Sequence, residues 1–458
     1  MEVRGRRTLV MGLGRHGGGV VAARWLARQG AVVTITDQAD AAALADSVAA
    51  LADVDIAGWA LGGHSAADFD AADIVVVNPA VRPSHPLIAR AASRGAQITS
   101  ELELFLERCP GRIVGITGSN GKSTTAAMIA AILRADGRRT FLGGNIGHSL
   151  LADLDTMTDD SWAVVEISSF QLAWLSDRCR LPEVSVLTNF TPNHLDWHGT
   201  LAAYAAAKAR LFARQRADDV AVVGTVPILQ SKMGLSPSFI GWESASRDVN
   251  ISSRRARQIL AVPAASLPAL RVPGMHNRAN AACAAAAAEA IGCAPAAISA
   301  GLQGFSGLTH RLELVASIEG RAFYNDSMAT TPESAVAALE TFSGRCWLLA
   351  GGYDKGCDMA PLADAIARHA RGAAFFGAAG PRLHAIASAC AADFPSAADF
   401  LSELVETLDA ALAWCWRHSR PGDCITLSPA CASYDQFVDY RARGERFRTL
   451  VSALEGAA

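Results

Sequence analysis

The sequence predicts an α/β fold divided among three domains. Three observations predict it: short apolar runs alternate with helical patterns along the chain, two of those runs open into glycine-rich turns, and the alternation starts afresh near Leu308. At 458 residues the chain is long enough to build several cores. The pattern assigns residues 1–107, 108–306 and 307–458 to the three domains.

In the first domain Thr8–Met11 reads as a strand, followed by Gly12, Leu13, Gly14 and Gly17 in a G-x-G-x-x-G turn and a helix to Gly30. Ala31–Thr36 is a second strand ending at Asp37, an acid placed about twenty residues on, as in a Rossmann-like dinucleotide turn. Ile74–Val77 is a third strand, closed by Asn78-Pro79. The turn alone is open to NAD or to another diphosphate ligand.

In the second domain the strand Ile113–Ile116 runs into GITGSNGKSTT at Gly115–Thr125, and Met128, Ile129, Ile132 and Leu133 carry a helical pattern to Gly137. Backbone N–H groups of such a strand–loop–helix cradle a polyphosphate. Gly118, Asn120 and Gly121 shape the loop, Lys122 reaches the β- and γ-phosphates, and the Ser123 hydroxyl sits on Mg²⁺. The spacing departs from G-x-x-x-x-G-K-[ST], because Ile116 stands where the first glycine is usual. Glu166 ends the apolar run Ala163–Val165, where a strand edge offers Mg²⁺ a hard oxygen. Strands follow at Val184–Leu187 and Val220–Val223, then a mixed stretch of strands and loops over 224–273 and a buried Ala-rich helix at Ala279–Ala288. The segment Asn193–His198 admits a zinc reading without a distal ligand to support it. Lys208, in TLAAYAAAKARLF, reads by itself as an ordinary surface lysine. The third domain alternates strands at Phe323–Tyr324, Trp347–Ala350, Ala374–Phe376 and Ile425–Leu427 with helices, a doubly wound, Rossmann-like arrangement.

Composition narrows the partners. A net charge of −3 gives no broad basic field, so nucleic acid is not expected. No apolar stretch reaches the roughly 18 residues a membrane span needs. The opening MEVRGRRTLVMGLG enters a strand without a cleavable signal, and ten scattered cysteines without C-x-x-C suit reduced thiols, so a cytoplasmic location is expected.

Taken in order, TGSNGKST, GGNIG, EISSFQL, NHLDWHGT…YAAAK, HNRAN, GLTHRLE, NDSMATTP and LSPACASYDQF resemble the Mur ligase family over nearly the full chain. The last motif, Leu427–Phe437, most resembles the glutamate-adding member. The resemblance implies ATP-dependent addition of D-glutamate to UDP-N-acetylmuramoyl-L-alanine in peptidoglycan precursor synthesis, by a monomer. It implies that Lys122, Ser123 and Thr124 hold ATP and a first Mg²⁺ with Glu166, and that His194 helps hold a second Mg²⁺. Lys208 matches the lysine that carries a carbamate. Asn145, Ser168 and Gln171 would face the UDP-sugar, Asn277 and Asn280 the adenine, and Arg311 and Asp326 the nucleotide from the third domain. Thr330, Lys355, Ser433 and Tyr440 match glutamate-binding positions, and Gly12, Leu13, Gly14 and Asp37 would hold uridine diphosphate in place of NAD. Met328 stands where relatives have lysine, Gln38-Ala39 where some have Thr-Arg, Asn78-Pro-Ala where Ser-Pro-Gly is common, and Tyr440 where phenylalanine is frequent. Alternatives from this reading are an L-glutamate ligase, a folylpolyglutamate-synthase-like ligase, and a nucleotide-binding regulatory protein without turnover.

Overall fold

The central strands form because their sequences are near-continuous runs of branched apolar residues, which a parallel sheet covered on both faces can bury entirely. The computed structural model describes residues 1–14, 17–224, 257–260, 267–394 and 399–456. They form two compact units, Met1–Pro268 with Ala279–Leu302, and Ala269–Arg278 with Gln303–Ala458.

The first unit holds two sheets. One contains β1 (Arg7–Met11), β2 (Val32–Asp37), β3 (Gly58–Leu61), β4 (Ile74–Val77) and β5 (Gln97–Thr99), ordered β3-β2-β1-β4-β5 and parallel throughout. Strand order reverses between β1 and β4, which is where such sheets open a ligand crevice. The other contains β6 (Arg112–Thr117), β7 (Thr140–Gly144), β8 (Trp162–Glu166), β9 (Val184–Leu187), β10 (Val220–Val223) and β11 (Arg257–Leu260), ordered β11-β10-β9-β6-β8-β7, again parallel. One hydrophobic core joins Val10, Ile35 and Val76 of the first sheet to Ile113, Val165 and Val223 of the second. Leu104, Phe105 and Leu106 of the helix Glu101–Arg108 lie in it. The passage from one sheet to the next therefore runs through packed core. Apart from β11, the stretch 225–266 lies outside the described residues.

The second unit holds β12 (Glu313–Ile318), β13 (Arg321–Asn325), β14 (Cys346–Gly351), β15 (Ala370–Phe376), β16 (Leu401–Leu404) and β17 (Cys424–Ala430), ordered β12-β13-β17-β14-β15-β16. Successive β14 residues feed two cores, Leu348 and Ala350 one, Trp347 and Leu349 the other, as a two-residue period requires. The expected doubly wound sheet carries one addition: β12 pairs antiparallel with β13 at the edge.

Candidate active site

Between β6 and the helix Lys122–Ala135, the loop Gly118–Gly121 is shaped by two glycines with positive φ. Gly118 has φ +152 and Gly121 has φ +78, and a side chain at Gly118 would begin 1.9 Å from Thr188 Oγ1. The loop is tied to the end of β9. Ser119 N donates to Asn189 O at 3.1 Å, Asn120 N donates to Asn189 Oδ1 at 2.9 Å, and Ser119 Oγ donates to Thr191 O at 2.8 Å. Ser123 and Thr124 are buried in the first helical turn, which carries no acid. A helix start with free N–H groups and no competing carboxylate suits an anion. Asn280, on the helix Met275–Ile291, is buried with its amide against Gly121, and Asn277 one turn earlier donates to Pro273 O at 2.6 Å.

Two lysines meet at one carbonyl. Lys122 Nζ donates to Gly118 O at 3.1 Å and Ser119 O at 2.9 Å, and Lys208 Nζ donates to Gly118 O at 2.8 Å. Lys208 is 3% exposed, so the surface reading of that residue is overturned. Its helix, Leu201–Ala209, turns it inward over the Tyr204 ring at 4.5 Å. Burial first, then the charge of Lys122, lower the Lys208 pKa to about 6, with Glu166 opposing. The amine is thus substantially neutral near pH 7.

Glu166 lies at the end of β8, paired in register with Ile116 of β6, and is buried. Asn145 Nδ2 donates to its Oε1 at 2.8 Å, while Oε2 is buried with no hydrogen-bond partner among the described residues. A buried carboxylate oxygen left bare is costly unless something cationic belongs there. His194 has φ +54 at the start of the short helix Leu195–His198 and packs on Phe170 at 4.7 Å between centroids. Burial, then Lys122 and Lys208, lower its pKa, which keeps the imidazole neutral and able to ligate. This donor set of carboxylate, hydroxyl and one imidazole fits Mg²⁺, which keeps waters and phosphate oxygens as its other ligands. Among the described residues no group of three His, Cys, Asp or Glu could hold a metal, so the zinc reading of Asn193–His198 gains no support.

Ser168 and Gln171 do not stand free. Gln171 N donates to Ser168 Oγ at 3.2 Å and Ser168 N to Gln171 Oε1 at 2.9 Å, a reciprocal cap on the helix Ser169–Ala173.

At the reversal between β1 and β4 a cavity of about 510 Å³ is lined by Gly12, Gly14, Asp37 and Asn78, with His64, Arg82 and His85 on its walls. Asp37 accepts from Gly14 N at 3.0 Å and Ala39 N at 2.9 Å, so it holds the turn. Leu13 differs from its neighbours: its side chain is fully buried in the core, leaving only backbone for a ligand. The residues 80–82 are stapled to the second sheet's segments. Trp197 Nε1 donates to Ala80 O at 3.1 Å, Trp174 Nε1 to Val81 O at 3.0 Å, and Arg82 donates to Asp196 O at 2.6 Å.

In the second unit the loops after β13, β17 and β14 sit on adjacent parallel strands. They carry Asp326 and Thr330, Ser433, and Lys355 respectively. Lys355 is exposed, and Tyr353 N donates to Ala432 O at 2.9 Å, bringing its turn beside the Ser433 loop. Asp326 accepts from Ser428 Oγ at 2.7 Å and Leu312 N at 3.1 Å, and burial raises its pKa to about 7. Arg311 Nε is buried without a hydrogen-bond partner among the described residues, and its Nη2 reaches the Met328 sulfur at 3.6 Å. Sequence reasoning missed Arg443. It is fully buried and donates to Ser327 Oγ and O, Cys431 O and Ala432 O, joining the loops that flank Thr330 and Ser433. Tyr440 opens the helix Tyr440–Glu455, its ring edge-on to His310 at 6.0 Å.

Comparison with known proteins accounts for this layout. The model of the Mur ligase MurD-like N-terminal domain matches residues 6–100, that of the Mur ligase middle domain residues 116–288, and that of the Mur ligase glutamate ligase domain residues 310–431. The UDP-N-acetylmuramoylalanine--D-glutamate ligase of Acidobacterium capsulatum is 37% identical over 468 residues, covering 100% of this chain and 98% of that protein. The protein of the same name from Anaeromyxobacter dehalogenans is 41% identical over 480 residues, covering 98% of each. The chain belongs to the Mur ligase family. Among Mur ligases it stands with the MurD type, and it is an amide-bond-forming ligase. The Mur ligase fold recurs in MurC of Thermotoga maritima at TM-score 0.58 and 19% identity, covering 99% of this chain and 100% of that one. A folylpolyglutamate synthase of Mycobacterium tuberculosis reaches TM-score 0.53 at 17% identity but covers only 76% of this chain.

Proposed function

We propose that the chain joins D-glutamate to UDP-N-acetylmuramoyl-L-alanine at the expense of ATP, by way of an acyl phosphate. One observation carries the chemistry: Lys122 and Lys208 share the carbonyl of Gly118, Lys208 as a near-neutral buried amine, while Glu166, whose charge acts on Lys208, keeps a bare buried carboxylate oxygen. The names of the full-length relatives supply the substrates.

In this reading residues 1–107 form a Rossmann-like domain for the UDP-sugar. Residues 108–306 form a P-loop domain for ATP, and residues 307–458 form a Rossmann-like domain for glutamate; the enzyme acts as a monomer. The N–H groups of Gly118–Ser123 and the Lys122 ammonium hold the triphosphate and neutralise charge on the transferred phosphoryl group. Asn277 and Asn280 take the adenine side, and Arg311 and Asp326 are the nucleotide-binding positions contributed by residues 307–458. Ser123, Glu166, His194 and a carbamate on Lys208 hold Mg²⁺, which supplies Lewis-acid charge neutralisation when bound. Carbamylation needs an unprotonated amine, the state that burial and Lys122 favour at Lys208. Asn145 orients Glu166 through its 2.8 Å hydrogen bond, and with Ser168 and Gln171 it lies toward the sugar. Thr330, Lys355 and Ser433 hold glutamate, Tyr440 lines that pocket, and the amine attacks the acyl carbon to release phosphate.

Phosphate release with UDP-N-acetylmuramoyl-L-alanine and each glutamate enantiomer tests the proposal. Release should require all three substrates and be fastest with D-glutamate. Equal rates with the L enantiomer would favour an L-glutamate ligase, and release with a folate in place of the UDP-sugar would refute the assignment.

A further inference from the structure

Resting on the assignment of glutamate to Lys355 and Ser433, we propose that Arg382 is a positioning residue, which holds the Lys355 turn from both flanks and so sets the affinity for glutamate. Lys355 is exposed and has no hydrogen bond or ion pair of its own among the described residues. Its flexible four-carbon stem lets the ammonium swing, so its placement depends on how firmly the backbone beneath it is held.

One guanidinium brackets that turn. Arg382 Nη1 donates to Asp354 Oδ1 at 3.1 Å and Oδ2 at 3.2 Å, and its Nη2 donates to Cys357 O at 2.8 Å. Asp354 stands just before Lys355 and Cys357 just after Gly356, so the lysine lies inside the bracket. Asp354 Oδ1 also accepts from Gly356 N at 2.8 Å, which closes the turn on itself. That backbone bond first, then Arg382, lower the Asp354 pKa, so the carboxylate is charged near pH 7.

Helix stability does not account for this arginine. It lies in the first turn of the helix Gly380–Ala392, where the positive end of the helix dipole opposes a cation. The side chains of Arg382 and Asp354 are 39% and 30% exposed, too wet for their pairing to add much to folding. The arrangement instead gives a fixed path from Ser433 to Lys355. Ala378 N donates to Asp435 Oδ2 at 3.0 Å, Ala379 N to Gly352 O at 2.8 Å, and Tyr353 N to Ala432 O at 2.9 Å. The start of the helix is thereby anchored to the Ser433 loop and to the near end of the Lys355 turn, and Arg382 returns from it to the far end at Cys357. A turn ordered in advance spares the ligand the cost of ordering it.

Steady-state kinetics of the full chain, read by phosphate release, test the inference. Arg382→Met should raise the glutamate KM about tenfold, the scale of ordering a few side chains on binding. Its kcat and its KM for ATP should stay within about twofold of wild type, the pattern of lost uniform binding. Its denaturation midpoint should stay near that of wild type. The deciding measurement is the double variant with Lys355→Met. A residue that acts through Lys355 adds nothing once Lys355 is gone, so the double variant should match Lys355→Met within about twofold. KM effects that multiply would mean that Arg382 meets glutamate directly, and overturn the inference. An unchanged glutamate KM in Arg382→Met, where Lys355→Met raises it, overturns the inference alone. A fall in kcat together with a lowered denaturation midpoint makes Arg382 structural and overturns it too. If Lys355→Met itself leaves the glutamate KM unaltered, the assignment of glutamate to Lys355 falls and this inference with it.

Discussion

Around Gly118 charges are crowded and left unbalanced: two lysines share one carbonyl oxygen, and Glu166 keeps a buried oxygen without a partner among the described residues. Around Ser327 and Ala432, in the other unit, burial is just as deep but the donors and acceptors match. Arg443 satisfies four backbone and side-chain oxygens, and the pKa of this buried guanidinium falls only to about 10. Folding alone would favour the second arrangement everywhere, because an unmatched buried charge opposes stability. The imbalance at Gly118 fits the ligand site proposed above, whereas the balance at Arg443 fixes the loops that flank Thr330 and Ser433.

Four substitutions break or sharpen that contrast. The largest effect belongs to Lys208→Ala, which removes the amine proposed to be carbamylated. Turnover should fall by about a thousandfold or more, while the ADP dissociation constant measured by calorimetry moves only a few-fold. Near-normal turnover would show that the crowding at Gly118 is structural.

Arg443→Met comes next and should act on folding. It leaves four oxygens short of a donor, and a buried unsatisfied group costs roughly 1–3 kcal/mol, so a denaturant titration should register a loss of about 3 kcal/mol or more. The KM for glutamate should rise with it, since both loops relax. A variant as stable as wild type would undo the contrast from the other side.

Lys355→Met should leave stability untouched, because the residue is exposed. Losing one charge-assisted hydrogen bond to a carboxylate costs about 1.5–3 kcal/mol, so the glutamate KM should rise roughly ten- to a hundredfold with little change for ATP. Equal damage to both constants would remove Lys355 from the glutamate pocket.

The smallest effect is a pH dependence. Asp326 has a folded-state pKa of about 7 against an ordinary 3.8, so the folded state binds more protons between those values. Its contribution therefore lowers stability as pH rises through that window and levels off above it. Asp326→Asn should flatten this component of the denaturation midpoint measured from pH 4.5 to 8. An unchanged slope would mean that Ser428 and Leu312 compensate fully for burial.

Local sequence was a good guide wherever a feature is packed into one strand–loop–helix unit. GITGSNGKSTT could be read because its glycines, lysine and hydroxyls are neighbours in the chain and must act together at a helix start. Lys208 could not, because nothing beside it says that its helix turns it under the loop. Arg443 was silent for a related reason: it ties Ser327, more than a hundred residues back in the chain, to the Cys431–Ala432 loop.

The strands divide along the same line. Every interior strand, from β1 and β2 to β14 and β17, was legible as an apolar run, because a strand covered on both faces must be apolar along its whole length. The edge strands β3, β5, β7, β12 and β16 were not, since each is only partly buried, as in Gly58–Leu61 or Leu401–Leu404, and its residues need not be. By itself, then, the sequence determined the interiors of three sheets, the glycine loop between β6 and the helix Lys122–Ala135, and the family. The tertiary structure alone decided the sheet edges, the burial of Lys208, the bare oxygen of Glu166 and the buried network of Arg443. These properties depend on what surrounds a side chain in space, and burial and electrostatic coupling are fixed by distance through the protein rather than along the chain.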